Sequence, residues 1–203
     1  MGSLEALAVA AVYLHGWSAN SLQPLVAGYR FTAAGLTLLL LSMFVLIGVA
    51  LPAQSLRLAD VVDAQAGLWN VVRQPLGLPL FLVVALGITS WPPLDLAGGA
   101  DLAGGTAAEA SGPGRLAWTA ARAALLAAFA AMGAAAFLGG WHGPWLPGPA
   151  WMAVKTAALL AVLAAAGVRL AGLRAEALVA RGWTVLLPLA FADLALAGLV
   201  AQL

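Results

Sequence analysis

Residues 25–51 read LVAGYRFTAAGLTLLLLSMFVLIGVAL, with Arg30 as the single charge. As a helix rising 1.5 Å per residue, a run of this length reaches about 40 Å, enough to cross a bilayer core of about 30 Å. The rest of the chain has the same character. Of 203 residues, 64% are hydrophobic and only 8% charged, whereas a soluble domain carries roughly 25% charged residues. So little charge cannot cover a water-facing surface, and the exterior must face lipid. The formal net charge of +1 offers no field aimed at nucleic acid. Cysteine is absent, which excludes disulfides, thiolate metal sites and cysteine nucleophiles. The opening MGSLEALAVA lacks the basic start of a signal peptide.

Working outward from 25–51, five more apolar stretches are candidate spans: Leu4 to Trp17, which is short, Leu76 to Ser90 with a possible start near Leu68, Leu116 to Leu138, Ala150 to Leu170, and Trp183 to Leu203. Pro52, Pro92-Pro93, Gly112-Pro113-Gly114 and Gly143-Pro144 punctuate the gaps. Tryptophans cluster near the span ends, where amphipathic rings favour the interface. The expected fold is therefore all-α, a polytopic transmembrane bundle of about six helices forming a single membrane domain, 1–203. Connections one, three and five hold Arg30, Arg115, Arg122, Arg169, Arg174 and Arg181; connections two and four hold Arg57, Arg73 and Lys155. That bias places the first set in the cytoplasm and both termini on the other side. The alanine-rich run 117–136 lets neighbouring helices approach closely.

Self-contained chemistry is not visible. The glycine-rich AGGADLAGG at 97–105 lacks the Gly-Lys-Ser/Thr ending of a phosphate loop and reads as a flexible connector. His15 and His142 have no acidic or cysteine cluster beside them, and Ser18 and Ser111 have no adjacent base. No catalytic residue, metal site or chain-bound cofactor is expected.

Longer strings are more specific. Residues 16–30 read GWSANSLQPLVAGYR, 60–70 DVVDAQAGLWN followed by Gln74 and Gly77, 90–96 SWPPLDL, 109–112 EASG, 137–147 FLGGWHGPWLP, then Lys155-Thr156, and 182–194 GWTVLLPLAFADL. In order and spacing these resemble the H subunit of proton-pumping NADH:quinone oxidoreductase, respiratory complex I. The resemblance covers helices three to eight of an eight-helix family; the first two, and the amphipathic helix between them, have no counterpart here. It implies an integral subunit of a bacterial inner membrane, with the same sidedness as the arginine bias. Its partners would be other membrane-arm subunits, a hydrophilic redox arm and the lipid bilayer, with quinone bound at the level of the complex and no nucleic acid.

In that family, intramembrane glutamates start a proton path. The aligned positions here are Leu38-Leu39 for a Tyr-Glu pair, Ile88 for a second glutamate and Arg122 for a third. Leucine and isoleucine exchange no proton and arginine stays charged, so the resemblance implies a degenerate path and an incomplete quinone chamber. Candidate quinone-loop or partner contacts are Arg30, Asp95, Asp101, Glu109 and Arg115. The polar residues placed inside spans are Arg122, Lys155 and Asp193. Arg122 either snorkels or pairs with a carboxylate on another helix, snorkelling being the simpler reading. Lys155 reads as well as an interface anchor. Asp193 falls in the middle of the sixth span and should face protein or water, not lipid. The expected function is a membrane-arm subunit anchoring a redox arm. The alternatives are an anchor subunit of a related membrane-bound hydrogenase or other redox complex, and a stand-alone transporter.

Overall fold

The computed structural model describes residues 1–200, so the expected end of the sixth span at Leu203 lies outside the described residues. The regular elements are helices: α1 Gly2–Ser18, α2 Leu22–Ala50, α3 Leu58–Asp63, α4 Asn70–Arg73, α5 Gly77–Ile88, α6 Gly112–Phe137, α7 Gly148–Arg169, α8 Ala175–Arg181 and α9 Leu187–Val200. Among the described residues, four stretches are long and apolar enough to cross a membrane: α2, α6, α7 and the run Ala175–Val200 that joins α8 to α9. Helices also lie at the other two expected places, but they are shorter. α1 has 17 residues and α5 has 12, so α5 reaches only about 18 Å.

Proline sets the length of α5. Gln74 precedes Pro75 and is forced out of helical geometry, at φ −134° and ψ 74°. At the other end Ser90 takes φ +48° just before Trp91-Pro92-Pro93. The sixth span starts earlier than its hydropathy suggests because nothing breaks the helix between Ala175 and Trp183. Instead Gly182–Leu186 forms a wider π-type turn immediately ahead of Pro188. Proline lacks an N–H and crowds the preceding turn, and a widened turn absorbs both.

α2 is the central post. Gly28 lies against Tyr13 and Gly35 against Val9, while Ser42 donates to Glu5 at 3.0 Å. The two antiparallel helices therefore meet along a seam of small residues, which is how helix backbones approach in lipid. Other faces of α2 take Gly87 of α5 against Leu38, and Gly182 against Thr37. Behind them Phe81, Phe129 and Phe137 pack with centroids 5.5–5.8 Å apart, joining α5 to α6. α7 leans mainly on α6 and leaves most of its surface outward.

The irregular stretch between α3 and α5 carries backbone groups into this packed interior, and side chains satisfy them. Gln65, fully buried, donates to the carbonyls of Val61 (3.1 Å) and Ala135 (3.0 Å). Its oxygen accepts from the N–H groups of Asn70 (3.2 Å) and Gly139 (3.0 Å). Asn70 donates to Ala136 O at 2.9 Å. Backbone without water must find such partners inside the protein.

Candidate functional site: a charged cleft at one end of the bundle

The connection between α5 and α6, residues 89–111, folds over the start of α2. It contains two single turns, Ala100–Leu102 and Gly105–Ala107. Gly105, at φ +62°, sits so close to Ala97 O that a side chain would collide with backbone. Thr106 N–H in turn donates to Ala97 O at 2.8 Å, closing the loop on itself. Leu173 N–H bonds Pro93 O at 3.0 Å and ties the connection to the segment between α7 and α8.

These elements enclose a cleft of about 370 Å³. Its polar lining includes Arg30, Asp95, Asp101 and Arg174, and Pro92 and Leu173 stand among its apolar walls. Arg30 spans two partners: one terminal nitrogen is 2.5 Å from Asp101 and the other 2.7 Å from Glu176 on α8. A guanidinium presents its donors as a fixed fork, so one side chain joins α2, the connection and α8 in defined register. Arg122 does not stand alone at an interface. It bonds Asp95 at 3.0 Å and the Thr89 carbonyl at 3.1 Å, so its partner lies on the connection, not on another helix.

The two carboxylates differ in environment. Burial pushes the Asp95 carboxyl above the usual carboxylate range, with Arg122 and the Gly98 N–H pulling the other way. The hydrogen bond from Arg30 holds Asp101 below that range. For a group with a depressed value, the stabilisation is complete above the unfolded value and is lost as pH falls through the folded one. The Arg30–Asp101 link should therefore persist from neutral pH down to about 4 and open only in stronger acid. Arg30→Gln should open it at neutral pH. Limited proteolysis of residues 97–109 reads both effects, and equal cleavage of the variant and the parent at pH ~7 would contradict the latch.

The sequence marks Arg30, Asp95 and Asp101 as candidates, and the structure brings these together. It gives no comparable mark to Glu176, a lone acid in an arginine-rich connection. Glu109 lies apart and accepts from Ser21 at 3.1 Å, and Arg115 is exposed on α6. Lys155 is far from the cleft and buried, with only 6% of its surface exposed. Asp193 is fully buried and accepts the Leu76 N–H at 3.2 Å. A second carboxylate, Glu5, is also buried inside the bundle, where the sequence points only to Asp193. Leu38 and Ile88 are both buried and apolar. No group of three His, Cys, Asp or Glu that could hold a metal occurs among the described residues.

The sequence profile of the family described as NADH dehydrogenase matches residues 2–198. The chain belongs to that family. Within the NADH dehydrogenase family it is 34% identical to the NADH-quinone oxidoreductase H subunit 2 of Rhodopseudomonas palustris, over 98% of this chain and 63% of the relative. It is 33% identical to the corresponding H subunit 1 of Geobacter metallireducens, over 99% of this chain and 61% of the relative. The H subunit of Geobacillus kaustophilus is 32% identical, over 98% and 61%. The chain thus spans less than two thirds of the length of these NADH dehydrogenase relatives. With its four apolar helices of spanning length, this family member is an integral membrane protein.

Proposed function

We propose that the chain works as a membrane-arm subunit of a complex I-like NADH:quinone oxidoreductase, as a single membrane domain that holds the hydrophilic redox arm. The observation that carries this reading is the family match running through nearly the whole chain, 2–198. The cleft supports it. Arg30 of α2 gathers at one end of the bundle with Asp95 and Asp101 of connection three and Arg174 of connection five. A surface of fixed charges rimmed by proline and leucine suits docking of a polar partner, with quinone met at the level of the complex. The arginine bias supports a cytoplasmic position for this end. The proton path is read as degenerate, because Leu38 and Ile88 are core, Leu39 packs against that core and Arg122 is committed to Asp95.

Purification of the tagged chain in mild detergent tests this. Co-purified iron–sulfur and flavin subunits are expected. A nickel–iron subunit in their place would assign the chain to a hydrogenase-type complex, and a lone stable monomer would reject the reading. Sidedness is tested separately, with reporters fused ahead of α1 and behind α9. Both should report the non-cytoplasmic face, and opposite faces would show that one of the short helices, α1 or α5, does not cross.

A further inference from the structure

Of the nine basic residues in the chain, eight are arginines and one is a lysine, Lys155. Two of the arginines, Arg30 and Arg122, lie within helices and pair with acids. The lysine is buried to 6% exposure on α7. Its ammonium donates to three carbonyls, Leu138 O at 2.6 Å, His142 O at 2.7 Å and Gly140 O at 3.0 Å. It also lies 4.6 Å from the centre of the Trp69 ring and 5.6 Å from that of Trp151. We infer that these three carbonyls and two indole faces form a binding site for a primary ammonium ion, which the chain fills with its own side chain.

The chemistry fits one cation class closely. An ammonium on a single carbon has three N–H groups in a tetrahedral spread, and three carbonyls receive them. The carbonyls come from Leu138, which caps the end of α6, and from the turn that follows it, beside the partial negative charge of that helix end. Gly139 and Gly140 take φ +70° and +50°, a left-handed turn that glycine permits, and across it the carbonyls of residues 138, 140 and 142 meet at one point. At Gly139 a side chain would collide with Trp69, so the glycine also admits the aromatic wall. Indole faces attract a desolvated cation, which the carbonyls alone would leave open on one side. A guanidinium is planar and too wide to point three donors at three converging oxygens. That accounts for lysine here in a chain that uses arginine everywhere else.

The site is tested in the full chain in detergent with Lys155→Ala, which removes the atoms of n-propylammonium. Adding n-propylammonium should raise the unfolding midpoint of the variant saturably and leave the parent unchanged. Tetramethylammonium, which has no N–H, and guanidinium, at equal ionic strength, should not. Lys155→Arg should behave like the alanine variant without amine. Equal shifts in variant and parent, or an equal response to tetramethylammonium, would overturn the assignment. If the variant fails to fold, the parent decides. Its single lysine should resist reductive methylation in the folded chain by on the order of a hundredfold relative to the denatured chain. Equal rates in the two states would refute an enclosed ammonium.

Discussion

Gln65→Leu is expected to destabilise the chain by about 2–6 kcal/mol, although the two side chains have similar volume. Two buried N–H groups, those of Asn70 and Gly139, lose their acceptor, at about 1–3 kcal/mol each. The Ala135 carbonyl loses a donor as well. No water reaches a fully buried position to take over. The effect should appear as a lower unfolding midpoint in micelles and as loss of the α6–α7 turn, because Gln65 holds Gly139 in its left-handed geometry. A cost under about 1 kcal/mol would mean that these groups find other partners, and the capping role would fall.

The second large effect concerns Asp193. Its carboxylate accepts the N–H of Leu76, the residue that opens α5. An acid at that place satisfies one of the free N–H groups of the helix start and meets its positive end. Asp193→Leu strips the cap and should cost about 1–3 kcal/mol, the penalty for leaving a part-buried N–H without its acceptor. Asp193→Asn retains an acceptor oxygen and should assemble normally. On the proposed reading its proton translocation in the assembled complex should also stay nearly intact, because the aspartate serves as a cap. If the asparagine variant assembled but lost translocation, Asp193 would be a proton carrier and the degenerate path would be rejected. Leu39→Glu should fail to create pumping and should reduce stability by placing an unpaired acid in the packed interior.

Much of the fold is legible in the sequence because apolar composition alone decides which segments leave water. The helices over 22–50, 112–137 and 148–169 follow directly. What hydropathy cannot show is backbone geometry. The third span reads as Leu76 to Ser90 with a possible start near Leu68, and it is Pro75 that excludes the earlier start and confines the helix to Gly77–Ile88. The candidate site is half legible. Arg30 and the acids of the connection stand out as charges in an apolar chain. Which acid meets which arginine depends on the path of a glycine-rich connection, and its turns at Ala97 and Gly105 carry no periodic signal. Arg122 thus reads as a snorkelling residue when its partner, Asp95, lies 27 positions away. Gln65 and Asn70 do not stand out either, since a polar residue in a short connection gives no sign that it will be buried.

The half-length of α5 also bears on how the chain is made. The N–H of Leu76, which precedes its first residue, finds its acceptor 117 residues further along, on α9. A ribosome delivers α5 to the membrane long before that acceptor exists. At about 18 Å the helix is too short to settle across the bilayer by itself, and its opening turn is uncapped. Stable placement of α5 therefore waits until α9 has been made, and any truncation that removes α9 leaves an earlier segment without its seat.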